Sequence, residues 1–124
     1  MHNRQKGNKG EDIACSFLSK KGFIVMDRNY SKKWGELDIV AQKDGKLHFF
    51  EVKSVLFGEM KEGNHRPEDN VHGLKVRSIR RMIETYMDEK RMVPETEFYF
   101  HVLCVFMDVQ RRSARVKWIE NIIL

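Results

Sequence analysis

Asp38, Glu51 and Lys53, with Glu36 beside them, are the residues of this chain whose types and spacing could do chemistry. Asp38 lies in the apolar run Leu37-Asp38-Ile39-Val40 and Glu51 in Phe49-Phe50-Glu51-Val52. Carboxylates are rarely buried in such runs without a partner. Between the runs stands Asp44-Gly45, a strong hairpin signal between β-rich segments. A two-residue loop there sets Lys43 against Lys46, Asp38 against Glu51 and Glu36 against Lys53. Side chains alternate along a strand, so positions 36, 38, 51 and 53 share one face. Opposed Cβ atoms lie about 4.5–5.5 Å apart, at which distance two carboxylates repel. The apolar neighbours Val40 and Phe49 aggravate the repulsion by excluding water.

Two remedies exist: one acid keeps a proton, or a cation sits between the pair. An oxygen-only pocket suits Mg2+ or Mn2+, hard ions that retain water and accept phosphate oxygens. His2, His48, His65, His72, His101 and the cysteines form no zinc-ligand pattern. Lys53 would then touch a metal-bound water or a phosphate, an arrangement suited to phosphodiester hydrolysis. The structural alternative makes Glu36–Lys53 an ordinary cross-strand ion pair, worth under about 1 kcal/mol at a surface. Asp38 and Glu51 would then line a solvated edge. A bulge or a longer loop would shift the register by one residue and dissolve the patch.

The elements that must hold these residues follow from periodicity. Ile13, Ala14, Phe17 and Leu18 give a helical stripe over residues 10–21, ended by Gly22. Residues 23–26 read as a short buried strand, and residues 36–43 and 46–53 as the hairpin. Residues 57–70 are rich in glycine, charge and polar side chains and read as a mobile segment. A second helix is expected over residues 71–89, with Leu74, Ile79, Met82, Ile83, Tyr86 and Met87 inward and Arg77, Arg80 and Arg81 elsewhere. Residues 98–109 and 115–119 complete the order α-β-β-β-α-β-β. That order predicts an α/β or mixed α+β fold, with a mixed central sheet flanked by helices.

The chain has 124 residues, which suits one domain spanning 1–124. Charged residues make up 33% and hydrophobic residues 41%, enough apolar material for one core. Lys and Arg exceed Asp and Glu by 23 to 18, and the net charge of +5 favours a polyanionic partner if it clusters on one face. Residues 1–10 have no apolar core, so no secretory signal is expected. The longest apolar stretch, residues 98–107, falls short of the roughly 20 needed to span a bilayer. Cys15 and Cys104 read as small buried residues. A soluble cytoplasmic protein is expected, with no membrane partner.

Glu11 has two readings. Asn8-Lys9-Gly10-Glu11 has capping-box spacing, with Asn8 as the cap and Glu11 reaching back to it. The other reading places Glu11 at the metal. Lys9, Lys33, Arg77 and Arg81 would contact phosphates if they converge on the acidic pocket, and otherwise form solvated faces. Trp34 and Tyr30 could stack on bases, or simply pack.

Asp38, twelve intervening residues and then Glu51-Val52-Lys53 resemble the PD-(D/E)xK nuclease motif. Gly10-Glu11-Asp12-Ile13-Ala14, Gly35-Glu36-Leu37-Asp38-Ile39-Val40 and Phe50-Glu51-Val52-Lys53-Ser54 are similar to the YraN-type bacterial proteins, relatives of archaeal Holliday-junction resolvases. Arg66-Pro67-Glu68 and Lys75 fit as well, so the likeness covers most of the chain. Leu37 stands where the motif's name has proline. The resemblance implies a restriction-endonuclease-like α-β-β-β-α-β core and divalent-metal cleavage of DNA, on branched or damaged structures. It implies that Asp38, Glu51 and the Val52 carbonyl hold Mg2+ or Mn2+. Lys53 would serve the attacking water, with Glu11 and Glu36 assisting and Lys75 joining the nucleic-acid contacts. Cleavage of a four-way junction would call for a symmetric homodimer. A non-catalytic nucleic-acid-binding module with the same fold is the alternative.

Overall fold

The computed structural model describes residues 3–56 and 73–124, with side chains from residue 8 onward. The expected segment 57–70, with Arg66-Pro67-Glu68, lies outside the described residues, as do Val71 and His72. Asp44 and Gly45 take left-handed backbone angles, φ 53° and 76°, the geometry of a two-residue hairpin turn. The turn joins β2 (Gly35–Lys43) to β3 (Lys46–Leu56). Lys43 faces Lys46 and Ile39 faces Phe50, the register read from the sequence.

The paired ladder ends at Ile39 and Phe50, so the expected cross-strand pairs Asp38–Glu51 and Glu36–Lys53 do not form. Instead the Asp38 carboxylate accepts the Val52 backbone N–H at 2.8 Å. A side-chain oxygen there stands in for a main-chain carbonyl of the partner strand, and alternation fails in β2, where Leu37 and Ile39 pack on opposite faces.

β1 (Ile24–Lys32) runs antiparallel to β2, with a register shift between Val25 and Asp27. It is longer than the expected 23–26, because pairing with β2 recruits polar residues that an edge strand tolerates. The chain then crosses through α2 (Val76–Glu89) to β4 (Phe98–Asp108), which lies parallel to β3. β5 (Ser113–Ile119) pairs antiparallel with β4, completing a sheet of order β1-β2-β3-β4-β5. The buried run from Phe100 to Met107 is the signature of an interior strand covered on both faces.

One helix covers each face. α1 (Asn3–Lys20) sets Ala14 and Leu18 against Phe23, Ile39, Phe50 and Leu103. α2 sets Ile79, Met82, Ile83 and Tyr86 against Leu37, Val40, Phe49 and Val102. The fold is thus mixed α+β, and its order through β4 is the α-β-β-β-α-β that the resemblance implied.

Two helix starts differ from expectation. α1 begins at Asn3, so Asn8 is inside the helix and the capping reading of Glu11 falls. α2 begins at Val76, leaving Gly73 and Leu74 outside it and Lys75 at its cap. Leu74 nevertheless packs on the core, which is why its apolar character looked helical. Cys104 is buried, whereas Cys15 on α1 is only half-covered. No helix among the described residues is long and apolar enough to cross a membrane.

Candidate active site

Where β2 and β3 part, carboxylates from different elements meet. Oxygens of Glu11, Glu36 and Asp38 lie within 4.8 Å of one another. Glu11 comes from α1, on one face of the sheet, and Glu36 and Asp38 come from the opening of β2. Like charges at this distance cost about 3 kcal/mol per pair at an effective dielectric of about 20. The cluster therefore cannot be fully ionised without compensation.

Proton affinities record the conflict. Burial pushes the Asp38 carboxyl up to about 7, and the charges of Glu11, Glu51 and Glu36 add to it, against the opposing Val52 N–H bond. Burial also raises Glu11, with Asn29 and Arg28 acting in the opposite direction. The Glu11 side chain is 12% exposed, and the Arg28 guanidinium stands 3.7 Å from its Oε1. That oxygen has no hydrogen-bond partner. Arg28 makes its close contact, 2.8 Å, with Asp12.

The approach of α1 is fixed by Gly10. A Cβ there would fall 1.8 Å from Ser54 Oγ and 2.9 Å from Ser54 Cβ. Only glycine lets the helix lie this close to β3, and Glu11 is the next residue.

Glu51 lies outside the trio, although its charge still acts on Asp38. Its Oε1 pairs with Lys53 Nζ at 3.0 Å, so the lysine meets Glu51 rather than Glu36. Val52 packs toward α1 with Phe50, so Glu51 and Lys53 alternate to the α2 face. There they line a cleft of about 220 Å³ with Glu36, Gly73, Leu74, Lys75, Ser78, Ile79 and Met82. Asp38 is the hinge of the arrangement, held at Val52 between the acids of α1 and those of the cleft. A larger apolar cavity of about 500 Å³, between α2, the start of β4 and the last residues, shares no residue with the acids.

The basic residues divide. Lys75 lines the acidic cleft, and Arg77 and Arg81 line an adjoining groove with Val76, Arg80 and Glu84. Lys33 is exposed in the β1–β2 turn beside Trp34, over whose ring the Arg81 guanidinium lies at 4.3 Å. Lys9 is exposed on α1, across the sheet from α2, and does not join that groove. Tyr30 packs edge-on against Tyr86 and bonds Glu89, so its ring is spent on the core.

Local motifs did not single out Arg28, Ser78 or Met82, because pairing of β1 and docking of α2 bring them in. A second juxtaposition also escaped the sequence. His48 Nδ1 meets His101 Nε2 at 2.9 Å, and the Asn121 N–H donates to His101 Nδ1 at 3.1 Å. Strand pairing creates that contact; sequence spacing carries no trace of it.

Residues 10–109 match the family described as "Uncharacterised protein family UPF0102". The chain belongs to the UPF0102 family. It is 39% identical over 116 residues to a UPF0102 protein of Campylobacter lari, covering 94% of this chain and 91% of that one. A UPF0102 protein of Wolinella succinogenes is 37% identical over 121 residues, 98% of each chain. A Sulfurovum relative is 39% identical over 119 residues, 95% of this chain and 93% of its own. UPF0102 is the YraN-type family that the motifs resemble. Among solved structures, an XisH family protein from Nostoc punctiforme aligns over 89% of this chain and 98% of its own, at 17% identity and a TM-score of 0.37.

Proposed function

We propose that this UPF0102 protein is a metal-dependent endonuclease acting on phosphodiester bonds of DNA, branched or damaged forms included. The observation that carries the reading is the convergence of Glu11, Glu36 and Asp38 where the β2–β3 ladder ends and Asp38 accepts the Val52 N–H. The donor set fits a hard divalent ion. It is all oxygen, one buried Glu11 oxygen is without a hydrogen-bond partner, and Asp38 is held up to about 7 by burial first and then by the charges of Glu11, Glu51 and Glu36. Asp38, Glu11 and Glu36 would hold Mg2+ or Mn2+, with Glu51 and the Val52 carbonyl adjoining. When bound, such an ion polarises a phosphate oxygen and lowers the pKa of a coordinated water.

The chain's own groups do the rest. The Val52 N–H fixes the Asp38 carboxylate in one orientation. Lys53, held by Glu51 at the cleft wall, offers an ammonium to the phosphate or to the attacking water. Lys75 in that cleft, Arg77 and Arg81 in the neighbouring groove of α2, and exposed Lys33 would supply the charge that draws in a phosphate backbone.

The test is a Mg2+ and Mn2+ titration against linear, flapped and four-way DNA, run beside Asp38→Asn. The wild type is expected to cleave at least one of these substrates only with added metal, and the variant none. Cleavage by Asp38→Asn equal to wild type rejects the assignment.

A further inference from the structure

Trp34 is a large aromatic that the fold holds firmly without burying. It sits in the turn between β1 and β2 with 38% of its surface exposed. Its backbone is fastened to α2 twice. Ser78 Oγ donates to the Trp34 carbonyl at 2.8 Å, and Gly35 lies so close that an added Cβ would fall 2.8 Å from Met82 Cγ. Met82 is a core residue, 1% exposed, so the turn is pressed onto the fixed part of the helix. These anchors use the carbonyl of residue 34 and the bareness of residue 35; neither needs an indole.

The Arg81 guanidinium lies over the indole, 4.3 Å from the ring centroid. An exposed cation–π pair contributes little by itself, and 38% of the tryptophan stays in water. A guanidinium that stacks by its face keeps its N–H edge free for a phosphate. Lys33 precedes the tryptophan, and Arg77 and Arg80 share the groove of Arg81, where Glu84 is the acid present. A rigid aromatic face, a stacked guanidinium and more cations are the parts of a single-strand binding platform. Ser78 and Met82, which clamp the turn, also line the acidic cleft. Trp34 is two residues from Glu36 in the chain.

We infer that the Trp34–Arg81 stack receives an unpaired base next to the acidic cleft, so that the cleft is addressed to DNA with single-stranded character, such as flapped ends. A base within a duplex already has both faces stacked and cannot use the indole; an unpaired base can. The inference rests on the proposed nuclease reading for the identity of the cleft, but its own content is binding.

The test uses Trp118→Phe as the parent, leaving Trp34 as the one indole of the two in the chain. Trp118 Nε1 has no hydrogen-bond partner, so phenylalanine forfeits none. Labelled oligonucleotides of one sequence, as blunt duplex and as flapped duplex, are titrated in EDTA so that cleavage plays no part. Flapped DNA is expected to quench Trp34 fluorescence and duplex to leave it unchanged. Trp34→Ala is expected to weaken flapped DNA by about 5–150-fold, the range of one base–aromatic stack, and duplex by less than about twofold. Trp34→Phe, which keeps a smaller ring, should fall between. Equal weakening of both DNAs, weakening of neither, or absent quenching overturns the inference, provided thermal unfolding shows Trp34→Phe folded. Selective quenching without metal-stimulated cleavage of any DNA would sink the nuclease reading and leave this one standing. Cleavage that ignores Trp34 would do the reverse, and absence of all DNA binding would end both.

Discussion

Asp38→Asn should make the protein more stable while removing its proposed chemistry. Asparagine keeps an oxygen to accept the Val52 N–H but carries no charge beside Glu11, Glu36 and Glu51. Asp38 is raised in the folded state, from 3.8 to about 7. The folded chain therefore binds more protons than the unfolded one across this interval, and stability falls as pH rises through it. At about 1.4 kcal/mol per unit, the full penalty at about pH 8 is about 4 kcal/mol. Solvent access through exposed Glu36 and relaxation of the cluster discount this to about 1–2 kcal/mol, or about 3–8 °C in a chain of this length. Thermal unfolding in EDTA from about pH 4 to about pH 8 reads the effect. Asp38→Asn is expected to unfold at higher temperature than wild type at about pH 8, with the gap closing toward about pH 4. Added Mg2+ or Mn2+ should raise the wild type and leave the variant unchanged, by linkage. A variant less stable than wild type at about pH 8, or a gap independent of pH, refutes the claim that burial and neighbouring charge strain the ionised Asp38.

Other outcomes follow from named contacts. Lys53→Ala should lose cleavage while keeping its melting temperature within a few degrees, because its half-exposed pair with Glu51 is worth under about 1 kcal/mol; unfolding scans beside a cleavage assay decide. Gly10→Ala should destabilise by about 1–3 kcal/mol, read by denaturant titration, through the Cβ 1.8 Å from Ser54 Oγ. Ser54→Ala should restore only part of that loss, since the Ser54 Cβ at 2.9 Å remains. The buried His101 is pushed down to about 4, first by burial and then by His48, so the unfolded chain binds the extra proton. Stability in the Asp38→Asn background, where the opposing slope is absent, should drop by up to about 3 kcal/mol as pH falls from about 6.5 to about 4, and His101→Phe should flatten that profile.

Much of this architecture could be read from single residues. Asp44-Gly45 demands positive φ twice in succession, which few residue pairs accept, so the turn and the register from Ile39 to Lys43 followed from local chemistry. The stripes of Ala14 and Leu18 and of Ile79, Met82, Ile83 and Tyr86 located both helices, since burying one face is the same demand in any helix. The polar residues of β1 were not legible as strand, because pairing with β2 rather than their own propensity holds them extended. Asp38 and Glu51 were expected to face each other; alternation rules assume an unbroken ladder, and the Asp38 carboxylate breaks it by taking the Val52 N–H.

The sequence by itself determined which residues could carry charge into apolar surroundings, and where the chain must turn. Both are properties of a few neighbouring residues. Which acids meet was decided by tertiary structure: Glu11 reaches Asp38 and Glu36 because Gly10 lets α1 lie against β3. The His48–His101 contact and the Trp34–Arg81 stack have the same origin, since each joins segments that only the folded sheet or a docked helix brings together. Distance along the chain carries no information about such contacts, and the closing of the fold around them supplies it.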